Sequence, residues 1–349
     1  MTEAERKRGA ALEAAGGAAL VVSAPENVRW LLCGRGRPVD VGSADYTVVL
    51  RDGSAFVVYP DIERSRVEDE ERLAELGCEP VPFPWHEGRD STIARLAGSA
   101  AATDLEVEAD LAPHRRALGA EEVERYRSAG ADTAAAFVAA LGSLKPDLSE
   151  LDSAAALAHE TRDRDLVARV NLVAGERRQP VHRHPLPTAA PLGRHALLAL
   201  TTERDGLHVS MTRIVSFGPS PERLAELVWA AAEVDAAVLG ASRPGMTHGE
   251  LFDVLTAAYE RVGFPEEWRR HHQGGLTGYK GREVFAVPGE PTPLPQVGAV
   301  AWNPSITGGG KSEDTALVTS DGVEVLTRTP ELEELDTEAG VARPAVVEL

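Results

Sequence analysis

Cysteine is nearly absent: Cys33 and Cys78 are the only two in 349 residues. They lie far apart and without metal-ligand spacing, which excludes a disulfide framework and suits a reducing cytosol. Long apolar runs are missing as well. The N-terminal stretch MTEAERKRGAALEAAGGAALVVSA is charged and amphipathic, and its apolar run is too short for a signal peptide or a membrane span. A cytoplasmic location is the expectation. Positive charge is scarce: 36 Lys and Arg stand against 55 Asp and Glu, a formal net charge of −19. That balance argues against nucleic acid or an anionic membrane as a general partner, while leaving room for a local basic pocket. No short-period repeat and no heptad run occurs.

What is present is an ordinary globular composition, long enough for two domains that each bury a core. Glu3–Ala15 has helical composition and ends at Gly16-Gly17, and Ala18–Ser23 follows as a short strand. Pro25-Glu26-Asn27 makes a turn before the apolar run Val28–Leu32. Tyr46–Leu50 and Ser54–Tyr59 flank Arg51-Asp52-Gly53, a strong hairpin signal. Asp61–Leu76 is expected to be a helix with a charged face, Cys78–Phe83 a strand, and Leu105–Glu108 an acidic strand. The texture changes near Gly119, where a boundary is placed.

Beyond it, Glu121–Leu141 and Leu148–Arg164 are helices, the second with Ser149 as N-cap. After the strand Val167–Val173 comes the Pro-rich segment Gln179–Leu192. Ala196–Thr201 and Leu207–Phe217 are strands around Arg204-Asp205-Gly206. A helix with Ser220 as N-cap and Pro221 at its first position runs to Gly240. Thr247 and Glu250 form a capping box for the next, which ends near Gly263. Ala299–Trp302, Thr315–Thr319 and Val323–Leu326 are strands, the last two joined by Ser320-Asp321-Gly322. The tail after Pro330 is acidic, then rich in Pro and Ala, and is expected to be loosely packed.

Chemistry concentrates in Trp268–Phe285, WRRHHQGGLTGYKGREVF. Two histidines, a tyrosine, arginines and a glutamate crowd around four glycines, with too little apolar filler for a core element. Glycines let the backbone take unusual dihedrals and let a ligand approach closely, so the run is expected to floor a site. His184 sits in HPLPT, where Pro185 and Pro187 fix the backbone around its imidazole. Arg213 lies on a strand that is otherwise apolar at alternate positions, and either faces solvent or anchors a carboxylate. Glu313-Asp314 follows three glycines at a strand start. With His184 and Glu283 it offers the carboxylates and imidazole that general acid–base work needs.

These segments, in this order, resemble the creatinase, aminopeptidase P and methionine aminopeptidase superfamily. ALTTERDGLHVSMTR follows that family's D-x-G-x-x-x-x-G-Y-x-x-D-x-T-R, with Gly206, Thr212 and Arg213 in register. Gly274–Glu283 follows G-H-G-I-G-x-x-x-H-E. Ala301-Trp302-Asn303-Pro304 matches T-I-E-P, and Glu313-Asp314-Thr315 with Val318–Thr327 matches the closing E-D-T and V-T-x-x-G-V-E-x-L-T. His184–Thr188 matches the upstream P-H-x-x-P-T element. NVRWLLCG and TVVLRDGSAFVVY are similar to the N-terminal domain of the creatinase and prolidase branch. The resemblance covers about Val21 to Thr327. It implies an α/β (α+β) protein with a small creatinase-like domain at 1–119. A pita-bread domain would follow at 120–330, with a curved, mostly antiparallel sheet covered by helices, and a tail at 331–349.

The departures from the family pattern carry the functional expectation. The register places the two metal-binding aspartates on Ala199 and Ser210, the histidine on Gly275 and the first glutamate on Asn303; only Glu313 keeps its type. Hard divalent ions need several oxygen or imidazole ligands, so no metal and no cofactor are expected at that place. Creatinase, which cleaves a C–N bond without metal, is the precedent. The resemblance then implies a metal-independent hydrolase or lyase for a small guanidino, amide or amino-acid-derived substrate. His184 would be the general acid/base, and Glu313 and Glu283 would hold the substrate or orient water. His271, His272 and Tyr279 would bond the developing oxyanion, and Arg213 and Arg282 would grip a carboxylate. Gln273, Asn303 and His182 complete the substrate-binding set. Two alternatives stand beside this. One is an Xaa-Pro aminopeptidase or prolidase-type metallopeptidase with ligands relocated to His184, His271, His272 and Glu313. The other is a non-catalytic pita-bread binding module, as in the large subunit of the histone chaperone FACT. The expected partners are a small-molecule or short peptide-like substrate and a second copy of the chain, as a homodimer.

Overall fold

Asp52-Gly53 and Asp205-Gly206 each place two successive residues at positive φ, at 51° and 79° and at 53° and 79°, in a computed structural model that describes residues 1–39 and 45–349. Positive φ at both central residues is what a two-residue hairpin turn needs to match the strand twist, and glycine at the second position makes it cheap. The chain forms two compact units, Met1–Glu121 and Glu122–Leu349.

In the first unit the helix Glu3–Ala14 opens on a Thr2/Glu5 capping box. Strands β1 (Leu20–Val22), β2 (Thr47–Arg51), β3 (Ser54–Pro60), β4 (Glu79–Phe83) and β5 (Ala102–Thr103) form one sheet in the order β4-β3-β2-β1-β5. The β1–β2 and β2–β3 pairs are antiparallel, while β3–β4 and β1–β5 are parallel. Three local expectations fail here. Pro25–Leu31 is a helix, because Pro25 occupies its first position, where a missing N–H costs nothing. Asp61–Leu76 breaks into single turns, with Arg72 left-handed at φ 47°. Glu71 turns inward there to accept from the amides of Gly36 (2.6 Å) and Arg37 (3.0 Å), which a regular helix would prevent. Leu105–Glu108 is a turn leading into the helix Glu108–Arg116, since the Thr103 amide and hydroxyl both donate to Glu106 at 2.8 Å, as in a helix cap.

The second unit holds strands β6 (Val167–Gly175), β7 (His195–Arg204), β8 (Leu207–Ser216), β9 (Gly274–Thr277), β10 (Val284–Phe285), β11 (Gly298–Trp302), β12 (Ser305–Ile306), β13 (Gly310–Lys311), β14 (Asp314–Thr319), β15 (Gly322–Val325), β16 (Glu334–Leu335), β17 (Arg343–Pro344) and β18 (Val347–Glu348). Two larger sheets run β18-β8-β7-β6 and β10-β9-β11-β14-β15. They meet where Thr212 pairs with Glu313 and where the Thr315 hydroxyl accepts from the Ser210 amide at 2.7 Å. Helices Ala120–Leu141 and Glu150–Arg162 cover the first sheet through Phe137, Leu141 and Leu157 against Leu198 and Met211. Helices Glu222–Ala241 and His248–Arg261 cover the second, with Val234, Leu251 and Leu255 against Val300 and Trp302. The Glu222–Ala241 helix starts one residue later than expected, with Pro221 as a cap that has no side-chain bond. No helix among the described residues is long and apolar enough to cross a membrane.

The tail is not loose. Strand β18 adds in parallel to β8, Val347 opposite Val215. Arg343, 1% exposed, pairs with Asp235 at 2.7 Å and with Asp314 at 2.5 Å. An acidic, Pro/Ala-rich composition hides this one arginine, the counter-ion of two buried carboxylates. Removing one partner of a buried ion pair strands the other charge. Arg343→Met is therefore expected to cost about 3–5 kcal/mol in urea denaturation, and adding Asp235→Asn should recover part of the loss. An unchanged midpoint in Arg343→Met would contradict this anchoring role.

Candidate active site

Side chains alternate across an extended backbone, so Lys311 and Glu313 share one face while Ser312 and Asp314 take the other. The second face is structural: Ser312 Oγ donates to Asp235 at 2.6 Å, and Asp314 accepts from Arg213 Nη2 at 2.9 Å. The first face is open to a cavity of about 360 Å³ lined by both Lys311 and Glu313.

Glu313 is the centre of that face. Thr212 Oγ1 donates to it at 2.7 Å, Arg282 Nη2 at 2.9 Å, and Lys311 Nζ stands 3.6 Å away. Burial alone would raise the Glu313 pKa; Lys311, Arg282 and the Thr212 hydroxyl outweigh it and hold the carboxyl below its usual range. Burial pulls the Lys311 ammonium down, and Arg282 adds to this against the opposing pull of Glu313. Arg282 Nη1 also reaches Ser210 Oγ at 3.4 Å. Its guanidinium thus lies between the side chains of Ser210 and Glu313.

The imidazoles come from two directions. Glu150, at a helix start, accepts from Thr188 N (2.9 Å), Thr188 Oγ1 (2.7 Å) and Arg178, which pins the Pro-rich segment. Arg183 is clamped by Glu267 at 2.5 Å, so the next residue, His184, is aimed at the Trp268–Phe285 run. His184 Nε2 lies 3.1 Å from His271 Nε2. His271 Nδ1 is 2.5 Å from the His272 carbonyl, which can only accept, so Nδ1 bears the proton and Nε2 the lone pair. Hence His184 Nε2–H is the donor to His271. His272 stacks on His271 with ring centroids 4.4 Å apart. Burial, then Lys311 and the neighbouring rings, drives His271 down to about 2; burial, then Arg282 and Lys311, takes His272 to about 4. His184 is lowered too, by burial and then Lys311. All three rings are neutral at pH 7.

Of the residues expected from sequence, His184, His272, Arg282, Asn303 and Glu313 line one cavity, and His271 backs His184 from behind. Asn303 Oδ1 is buried without a hydrogen-bond partner. The others lie elsewhere. Arg213 is 2% exposed and committed to Asp314, the Thr212 carbonyl and the Thr327 carbonyl, so it grips the core rather than a substrate. Tyr279 donates to Glu122 at 2.8 Å, away from the cavity. Gln273 bonds Tyr259 and the His271 carbonyl, which orients the histidine run. Glu283 packs against Gly278 and does not line the cavity. His182 lies on a second cavity of about 320 Å³. Lys311 was not singled out from sequence; its signal was position, two residues before Glu313 in GGGKSE.

The sequence model of metallopeptidase family M24 matches residues 124–320. The chain belongs to that family. It is 23% identical over 221 residues to an Xaa-Pro dipeptidase of Lactobacillus helveticus, covering 60% of this chain and 59% of that protein. It is 34% identical over 116 residues to the agropine synthesis cyclase of Rhizobium rhizogenes, covering 31% and 28%. The matches therefore span less than two thirds of either relative. Among solved structures, dipeptidase PepE from Mycobacterium ulcerans superposes with a TM-score of 0.71 at 19% identity, over 94% of this chain and 95% of that one. This likeness shows the fold: a creatinase-type first domain and a pita-bread domain.

The family's dinuclear metal centre does not fit the residues present. By the register above, its five ligand positions carry a methyl, a hydroxyl, no side chain, an amide and one carboxylate, and the guanidinium of Arg282 spans two of them. The histidine position is closed outright. Gly275 sits at φ 145°, and a Cβ there would lie 2.2 Å from the Val284 carbonyl oxygen. Gly275→Ala is expected to lower stability by at least about 2 kcal/mol in thermal or urea unfolding. Gly275→His should cost more and bind no stoichiometric Mn²⁺. A stable, metal-loaded Gly275→His protein would show that the position is open.

Proposed function

We propose that the protein is a metal-independent hydrolase or lyase of the creatinase type, acting on a C–N bond of a small guanidino, amide or amino-acid-derived substrate. The observation that carries this reading is the Arg282 guanidinium between Ser210 Oγ and Glu313, at 3.4 and 2.9 Å, with Lys311 beside it. The fixed Arg282 cation stands between two positions where the register puts metal-binding groups. It can stabilise a developing oxyanion by the same electrostatic means, without reorganisation.

His184 is the acid/base. Its ring is neutral, and its Nε2 proton is held toward His271, so its remaining nitrogen is free to take a proton from water and return it to the leaving nitrogen. Arg282, oriented by Glu313, faces the carbonyl oxygen, or the oxygen that water adds to a guanidino carbon, as charge builds. Asn303 Oδ1, the buried acceptor without a partner, suits an N–H of the substrate. Phe285 packs edge-on to His272, ring centroids 5.1 Å apart, at the rim of this space. The cyclase among the relatives supports chemistry other than peptide hydrolysis on this scaffold.

A panel of small guanidino, amide and imidodipeptide compounds tests the reading. Turnover should persist after exhaustive chelation, and His184→Ala should lower it about 10²–10⁴-fold. Burial places the His184 pKa below 6.5, so the acid limb of kcat/KM should fall below pH 6.5 rather than at it. Full activity in His184→Ala sinks the proposal.

A second reading has one observation behind it. The ligand atoms of His184, His271 and His272 lie within 4.8 Å of one another, a spacing compatible with a three-histidine ion site. It supports a relocated metallopeptidase centre. Elemental analysis separates the two readings: one equivalent of zinc, lost in His271→Ala together with activity, selects the second.

A further inference from the structure

Lys311 lines the cavity, and its place there is not explained by what surrounds it. It is 7% exposed, on the two-residue strand β13, and its ammonium stands 3.6 Å from Glu313, longer than a hydrogen bond. An ammonium carries three donors, and burying it without full pairing is costly. Glu313 is already served by Arg282 at 2.9 Å and Thr212 at 2.7 Å. Lys311 is therefore surplus to the needs of Glu313.

Its position is also distinctive. Lys311 and Arg183 line both the 360 Å³ cavity and the adjoining 320 Å³ cavity. The second cavity is walled by His182, Arg270 and the backbone of Gly308–Gly310, and among the described residues no acidic side chain lines it. The glycines bring that backbone close: a Cβ at Gly310 would lie 2.3 Å from the Leu227 carbonyl, and one at Gly309 2.9 Å from Gln179 Nε2. Arg183 and Arg270 share the single carboxylate of Glu267, at 2.5 and 3.6 Å. Arg282 and Lys311 share the single carboxylate of Glu313. The neutral imidazoles add no charge. A protein of formal net charge −19 thus surrounds a space with surplus positive charge, which favours an anion there.

We propose that Lys311 anchors a carboxylate of the substrate at the junction of the two cavities, so that the substrate is a small carboxylic acid bearing the C–N bond. This takes over the role the sequence suggested for Arg213. Beside Glu313 itself the surplus is the single Lys311 ammonium, which suits one carboxylate. The inference rests on the proposed small-molecule site, but it needs only binding and not turnover.

The test is calorimetric titration of the full-length protein with succinamate, succinamide and inorganic phosphate at low ionic strength. Succinamate should bind, and the neutral diamide should bind at least about tenfold more weakly. Lys311→Met should lose succinamate affinity by a similar factor, with its fold checked by circular dichroism, and Lys311→Arg should keep most of it. Succinamate binding is read in the wild-type protein whether or not any compound is turned over, which separates failure of this inference from failure of the catalytic reading. Equal binding of acid and diamide, tighter binding of phosphate, wild-type affinity in Lys311→Met, or no binding of any probe would each overturn it.

Discussion

The second unit depends on the alternation of side chains along Lys311-Ser312-Glu313-Asp314. Two adjacent acids would repel each other on one face; an extended backbone sends them to opposite faces. Asp314 goes inward to Arg213 and Arg343, and Glu313 goes to the cavity with Arg282 and Lys311. One strand start thereby ties four cations into two separate buried systems. A shift of register by one residue would exchange the two faces and leave every one of those charges wrongly paired.

This arrangement also sets the state of the histidines. Burial disfavours a charge on His184, His271 and His272, and the cations fixed at Glu313 add to it, so all three are held toward the neutral form. Neutral rings can accept protons at pH 7, whereas imidazolium rings could only donate. Charge compensation at the carboxylate and neutrality at the imidazoles therefore belong to the same buried space.

Much of the fold was legible in the sequence because local chemistry and tertiary packing agree there. Thr247 and Glu250, Ser149, and the Asp-Gly turns all do what their residue types favour. Legibility ended where a long-range partner decided the outcome. Glu71 breaks an expected helix to reach Gly36 and Arg37, and Arg343 turns an apparently loose tail into a buried anchor. The site followed the same rule. His184, His271, His272, Arg282 and Glu313 announced themselves by type and spacing. The roles of Arg213 and Tyr279 depended on Asp314 and Glu122, far away in sequence. Lys311 could have been found by counting two residues back from Glu313.

Gly275 and Arg282 are linked through one strand pairing. β10 pairs with β9 so that Phe285 lies opposite Gly275 and Val284 opposite Leu276. In that pairing the Val284 carbonyl lies 2.2 Å from where a Cβ at position 275 would be, so any side chain there would push β10 away. Arg282 stands two residues before β10, in the turn that this pairing closes, and the Glu283 amide donates to the Leu276 carbonyl at 2.8 Å. Glycine at 275 allows this close pairing, and Arg282 in the adjoining turn reaches Glu313 at 2.9 Å. A position closed to side chains and a cation that reaches Glu313 therefore lie on the same pair of strands.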